Sequence, residues 1–409
     1  MVKFLFLLIP VFINAEGLKS LIEFAHQNNQ LVDSKQLLKA SKQKELDAKK
    51  SDYYPTVDVG AYYQNLNERT TGLAGDIYSG YAKIGLDIYD GGKKSALVKQ
   101  KEAEHKASSY DVDDMKSALS LQIMQDFFNI MSLESSLVSK EEARKSLKVQ
   151  LERMNAFYDA SLATKDDVDR LQAAYDTNIY EMESVKLELL TLKLDLSLKV
   201  GKEIRLLSAS KFINKGEADF EVIESVKSLE YSKRSIENLR DSIDSAYYPQ
   251  FRLEDTYSLY DYGNTDRTHP KGVDNQNKIL LSVNMRLFDN ASISNTKQAI
   301  AIQSQSLAKH LEYKTKEQEM FHALAKERIK INEVKIKSAE SALKSAKSAF
   351  HTIEQKYTAG IVDNVVYLDA LVAKTNASSL YETSLNDLQI AYGIYYHYAG
   401  QNIEEFINE

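Results

Sequence analysis

The feature that most constrains this chain is that it contains itself twice. Val200-Gly201 recurs as Ala399-Gly400, Tyr158 to Leu162 as Tyr357 to Ile361, and Ile88 to Gly91 as Leu287 to Asn290, each 199 residues later. Pro55 and Pro249, in Tyr53-Tyr54-Pro55 and Tyr247-Tyr248-Pro249, are 194 residues apart. The second copy therefore holds five more residues between its proline and Phe288-Asp289-Asn290, where a loop falls. A period this long makes each copy one structural unit, and both must satisfy the same pattern.

Each copy reads helix, strand, loop, strand, long helix, tight turn, helix. The boundaries are a secretion signal at 1–15, a first repeat at 16–201, a linker at 202–216 and a second repeat at 217–409. Lys3, the apolar run FLFLLIPVFI and Ile13-Asn14-Ala15 have the form of a cleaved signal. About ten apolar residues fall short of the roughly 20 that span a bilayer. The chain has no cysteine, so packing or assembly must stabilise it without disulfides. Its 52 basic and 59 acidic residues are interspersed, which argues against a nucleic-acid partner.

The strands are expected at about 56–66 and 78–89, and again at about 250–260 and 278–288. Val57, Val59, Ala61 and Tyr63 share one face of the first, and Ile279, Leu281, Val283, Met285 and Leu287 one face of the last. Segments of about 10 alternating residues flanked by tyrosine fit a transmembrane barrel, although a soluble sheet with one buried face alternates equally. Four strands cannot close a barrel, and lipid does not tolerate open edges, so the membrane reading requires several copies. The segments 67–77 and 261–277 are polar and turn-rich, as exposed loops should be.

Between Lys93 and Ala160, and between Ser292 and Ala359, no proline or glycine interrupts the chain. At about 1.5 Å per residue each run makes a helix of ~100 Å. Ala339, Ala342, Ala346 and Ala349 form a narrow seam of small side chains. Leu190 to Val200 alternates like a strand but lacks β-branched and aromatic residues. Two leucine seams thread it, Leu187/Leu190/Leu194 and Leu189/Leu192/Leu196, which assigns it to helix with a neighbour on each side.

Enzyme chemistry finds no home here. The seven histidines make no metal pair at helical spacing, no GxSxG frames a serine, and Asp90-Gly91-Gly92-Lys93-Lys94-Ser95 lacks the phosphate-loop pattern. No cofactor is implied. The lysines at 42, 44, 49, 50, 93, 94, 99 and 101 flank the expected membrane ends and face either anionic headgroups or water.

The two Tyr-Tyr-Pro strand starts, the strand ends Ile88-Tyr89-Asp90-Gly91-Gly92 and Leu287-Phe288-Asp289-Asn290-Ala291, and the turn Tyr357 to Leu371 together resemble the TolC-type outer-membrane efflux family. Phe157 to Thr177 is the first-copy counterpart of that turn. The resemblance implies a mainly α chain with a transmembrane β portion. It implies a homotrimer whose twelve strands form a barrel in the outer membrane of a Gram-negative bacterium, continued by an α-helical barrel into the periplasm. The partners would be a periplasmic adaptor, an inner-membrane pump and outer-membrane lipid.

The same resemblance assigns roles to residues. Ser161, Leu162, Ala163 and Thr164, with Gly360, Ile361 and Val362, would form the periplasmic tip that meets the adaptor. Asp369, Asp363, Asp167 and Tyr357 become pore or aperture candidates, while Val366 and Val362 stand where the family carries an acid and an arginine. Tyr53, Tyr54, Pro55, Tyr247, Tyr248 and Pro249 would mark the membrane boundary. Lys83, Asp87, Arg252, Glu254 and Arg286 would line a wet lumen. The function implied is a passive exit duct for efflux or type I secretion. The alternative is a non-conducting periplasmic coiled-coil scaffold, which explains the helices but not four amphipathic strands.

Overall fold

A computed structural model describes residues 16–68, 71–213, 216 and 218–408. The signal expected at 1–15 lies outside the described residues, as do 214 and 215 of the linker and 217, the first residue of the second repeat. The elements run α1 (Leu18–Asn28), α2 (Gln30–Ser51), β1 (Thr56–Asn65), β2 (Asp76–Tyr89), α3 (Lys93–Asp159), α4 (Lys165–Val200) and β3 (Lys211–Phe212). They continue with α5 (Glu224–Asp244), β4 (Gln250–Gly263), β5 (Asn275–Asn284), α6 (Ser292–Thr358), α7 (Asn364–Tyr398) and β6 (Ile407–Asn408). Helices α3 and α6 each span 67 residues, and their first residues, Lys93 and Ser292, are 199 apart. The stretch 190–200 is helix, the end of α4.

Both long helices begin alike. Asp90 accepts bonds from the backbone N–H groups of Gly92 and Lys94, and Asp289 accepts one from Ile293. The two residues after each aspartate take positive φ: Gly91 and Gly92 at 73° and 87°, Asn290 and Ala291 at 53° and 64°. The aspartate of each Asp-Gly-Gly or Asp-Asn-Ala segment thus satisfies orphan donors of the first turn. The motif is a helix start rather than a phosphate loop.

The chain divides into two compact units, and both take segments from each half. The first comprises residues up to 35, 112–224 and 314–409. Its core gathers Leu18, Leu21 and Ile22 of α1, Ile123, Met124, Phe127 and Phe128 of α3, Leu196 of α4 and Tyr396 of α7, all at most 2% exposed. Each such side chain contributes about 1.5–3 kcal/mol on burial. Of the two leucine seams on α4, Leu189/Leu192/Leu196 packs into this core. Leu187, Leu190, Leu194 and Leu198 are 55–77% exposed. The sequence reading missed one pairing: β3 and β6 join antiparallel and hold the C-terminal segment against this core. The buried Gln318 donates to the carbonyls of Glu221 and Tyr398 and accepts from the N–H of Ile223, tying the segment before α5 to the end of α7.

The second unit, residues 36–111 and 225–313, carries a four-stranded antiparallel sheet in the order β1-β2-β4-β5. Four boundaries differ from expectation. The hairpins are longer at their tips, with β2 starting at Asp76, β4 running to Gly263 and β5 starting at Asn275, because pairing continues into stretches that composition marks as loop. The last strand stops at Asn284 instead of reaching 288. In the same unit, Lys42 and Lys101 both bond Glu45 and Glu104, Lys94 pairs with Asp87, and Lys49 with Asp52. These lysines engage carboxylates of the chain itself.

Candidate channel wall and tip

The sheet separates its two faces by strand alternation. One row across it reads Val57, Ile84, Asp255 and Ile279, and the next toward the helices brings Leu86, Leu253 and Leu281 together. This face is apolar apart from Asp255 and, toward the hairpin tips, Asn277, Asn275 and Asp261, yet Val57, Val59, Ile84, Ile279, Leu281 and Val283 are 49–82% exposed within the chain. Tyrosines stand at both ends: Tyr63 and Tyr78 pack at 4.9 Å beyond the last apolar rows, and Tyr53, Tyr54, Tyr247 and Tyr248 are exposed at the helix ends. Pro55 and Pro249 directly precede β1 and β4, where proline excludes the helical conformation from Tyr54 and Tyr248.

The opposite face is charged, and its charges are ordered. Arg252 donates from Nη1 to Asp87 Oδ1 at 2.8 Å and from Nε to Glu254 Oε1 at 3.0 Å. Lys94 lies 3.3 Å from the second oxygen of Asp87, and Lys83 3.5 Å from Glu254. Four of the five expected lumen residues thereby join one chain of ion pairs, with Lys94 added. The fifth, Arg286, lies beyond the end of β5. Gly85 makes room for this network: a Cβ there would meet Arg252 Nη2 at 2.8 Å.

In the other unit, the turns after α3 and α6 share one geometry. Leu162 N–H reaches the carbonyl of Phe157 and Ser161 N–H that of Tyr158; Ile361 and Gly360 repeat this onto Lys356 and Tyr357. The closing residue takes positive φ in both, 59° at Ser161 and 75° at Gly360. Serine, despite its Cβ, adopts the conformation that glycine takes without strain. Thr164 then caps α4 in a reciprocal box with Asp167, and Asp363 caps α7 through the N–H of Val366.

This geometry distributes the aperture candidates. Asp167 bonds Thr164 and accepts from the side chain of Asn364, so its carboxylate joins the two turns. Tyr357 is buried and stacks on Tyr367 at 4.7 Å, and burial pushes both phenols upward in pKa. Asp363 serves as a cap. Asp369 is exposed on α7, beside the exposed Val365, Val366 and Val372. Of the tip residues, Ser161, Leu162, Thr164, Gly360 and Ile361 are exposed, while Ala163 and Val362 are partly covered.

Sequence reasoning missed Asn364, Tyr367 and Arg153. Asn364 bridges the turns, Tyr367 fills the tip core against Phe350, and Arg153 donates to the carbonyl of Thr358. Tyr367 carried a signal, because Tyr367, Ala370 and Leu371 fall at the spacing of one helix face.

Among the described residues no helix is long and apolar enough to cross a membrane, and no group of three or more acidic or histidine side chains is placed to hold a metal ion. Residues 21–201 match the model of the outer membrane efflux protein family. Over that stretch, 181 of the 409 residues, the sequence is similar to outer membrane efflux proteins. In sequence it is 28% identical over 171 residues to outer membrane protein TolC of Vibrio cholerae serotype O1, a match spanning 40% of this chain and 39% of that relative. In fold, the CmeC outer membrane channel of Campylobacter jejuni superposes with a TM-score of 0.83 at 14% identity, covering 94% of this chain and 85% of CmeC. VceC of Vibrio cholerae gives 0.80 at 15%, covering 94% and 96%, and the open state of the MtrE channel of Neisseria gonorrhoeae gives 0.77 at 14%, covering 94% and 89%. The fold of these outer membrane channels therefore extends across nearly all of the chain, past the residues 21–201 matched in sequence.

Proposed function

We propose that this protein is the outer-membrane exit duct of a tripartite efflux or type I secretion system. It conducts substrate passively from an inner-membrane pump and a periplasmic adaptor to the outside. The observation that carries the reading is the sheet: one face apolar and exposed, the other lined by paired charges, and both edge strands open. Lipid against the first face and water against the second satisfy both, provided further copies close the edges. Three copies would supply twelve strands, and the exposed leucine seam on α4 would find its neighbour on the next copy.

The two halves of the chain are then repeats of one unit, and the exposed turns at Ser161 and Gly360 are the periplasmic end offered to the adaptor. Three copies would bring Asp369 into a carboxylate ring at that end, a selectivity element for cations. A non-conducting scaffold would leave the exposed apolar face of the sheet without a partner. Single-channel recording in planar bilayers tests the duct. Conductance that rises when the tip turns are shortened is expected, and silence from membrane-inserted protein with shortened turns defeats the reading.

A further inference from the structure

The sheet has one joint between the two halves of the chain, where β2 meets β4 with Asp87 opposite Arg252. Each strand at this joint has a counterpart in the other half. The Asp90 and Asp289 helix caps relate β2 to β5 by 199 residues, and Pro55 and Pro249 relate β1 to β4 by 194. Applied to the joint, these offsets carry Asp87 onto Arg286 and Arg252 onto Asp58. The pair recurs with its signs exchanged. Within one chain it cannot form, because β1 and β5 lie on opposite edges of the sheet.

We propose that β1 of a second copy adds antiparallel to β5, in the register that sets Arg286 opposite the partner copy's residue 58, and that this swapped ion pair fixes how copies join. The inference rests on the assembly proposed above and specifies the contact that assembly leaves open. Three observations carry it. First, β2 stays paired to Tyr89, whereas β5 ends at Asn284 and leaves Met285, Leu287 and Phe288 54–86% exposed. The segment expected to continue the strand lacks the neighbour that its counterpart in β2 has.

Second, the register sets Met285 against Val59 and Val283 against Ala61 on the apolar face, and Asn284 against Gly60 on the polar face. Val59 is the most exposed of the large apolar side chains on β1, at 82%. A slip of one residue would turn each apolar side chain toward the lumen, and a slip of two would separate the charges. Third, among the described residues neither Asp58 nor Arg286 has an ion-pair partner within its own chain, while the equivalent Asp87 and Arg252 are bonded at 2.8 Å. Like pairs at the two kinds of joint would let one repeat unit close a ring without an edge.

The chain has no cysteine, which makes crosslinking unambiguous. Asp58→Cys combined with Arg286→Cys in membrane-inserted protein is expected to give a covalent ladder of oligomers under mild oxidation. The slipped combination Gly60→Cys with Arg286→Cys is expected to give none, since disulfides need close, aligned Cβ atoms. As a check free of cysteine, Asp58→Arg should lose the heat-resistant oligomer and Asp58→Arg with Arg286→Asp should regain it. Oligomers that conduct yet crosslink through the slipped combination, or that the double charge exchange does not restore, overturn this register and leave the duct standing. Protein that inserts and remains monomeric overturns both.

Discussion

The helical hairpins α3–α4 and α6–α7 have the same turn and nearly the same lengths, yet opposite chemistry between their helices. Three ion pairs cross from α3 to α4: Asp126 with Lys199 at 2.6 Å, Glu134 with Lys193 at 2.7 Å and Lys140 with Glu181 at 2.5 Å. Moved by 199 residues these become Ala325 with Tyr398, Glu333 with Tyr392 and Ala339 with Leu380. The last pair lines a cavity of about 710 Å³ with Ile331, Val334 and Ala342. Half of the expected alanine seam thus borders an open groove. One backbone plan accepts either solution, because helix lengths and turns are set by caps and breakers while the helix contacts are set by side chains.

The largest expected effect breaks the comparison at the tip. Tyr367 is fully buried between Phe350 and Tyr357, whereas its counterpart Val168 is only partly covered. Tyr367→Ala should destabilise the α6–α7 end by about 3–5 kcal/mol and Val168→Ala by about 1–2 kcal/mol, read from thermal loss of helical signal in detergent. Equal losses would mean that depth of burial does not separate the two positions within their common core.

The next is a pH effect at the end of α7. His397 near the end of α7 packs against Ser117, and burial holds its imidazole down at about 4, while the counterpart Leu198 does not titrate. Below 6.5 the unfolded chain takes a proton that the folded chain refuses. Stability is therefore complete above that pH and falls as pH drops from 6.5 toward 4, by up to about 3 kcal/mol. Melting between pH 7 and 4.5 measures it, and His397→Leu should lessen the slope, leaving the part due to His26, whose imidazole burial also holds down.

A smaller difference lies in the turns themselves. Ser161→Gly should stabilise by about 0.5–1 kcal/mol by relieving positive φ, and Gly360→Ser should destabilise by a similar amount. Smallest is the ladder: Lys140→Ala and Glu181→Ala in a double-mutant cycle should couple by about 0.2–1 kcal/mol, since Glu181 is half exposed. Installing Ala339→Lys with Leu380→Glu should bring the same coupling to α6–α7 and sharpen the contrast.

Much of the architecture was legible because it depends on local signals. Tyr-Tyr-Pro, the aspartate before each long helix, and alternation over about ten residues act within a few bonds of themselves. The two seams on α4 were also visible, but which of them faces the core was not, since both are leucine. That Asp167, an aperture candidate, also bridges two turns was not legible, because Asn364 is 197 residues away in sequence. Arg153 closing the end of α6 and β3 pairing with β6 likewise join segments far apart in the chain.

By itself the amino-acid order determined the element order, the two amphipathic strand pairs and the uninterrupted helices. Each of these follows from backbone restrictions and side-chain periodicity that a short window contains. Only the tertiary structure decided that β2 meets β4 in the Asp87–Arg252 register, that Tyr357 and Tyr367 stack inside the tip, and that β5 stops four residues before 288. Those outcomes depend on which distant surfaces come together and which find no partner within a single chain, and no local pattern encodes that.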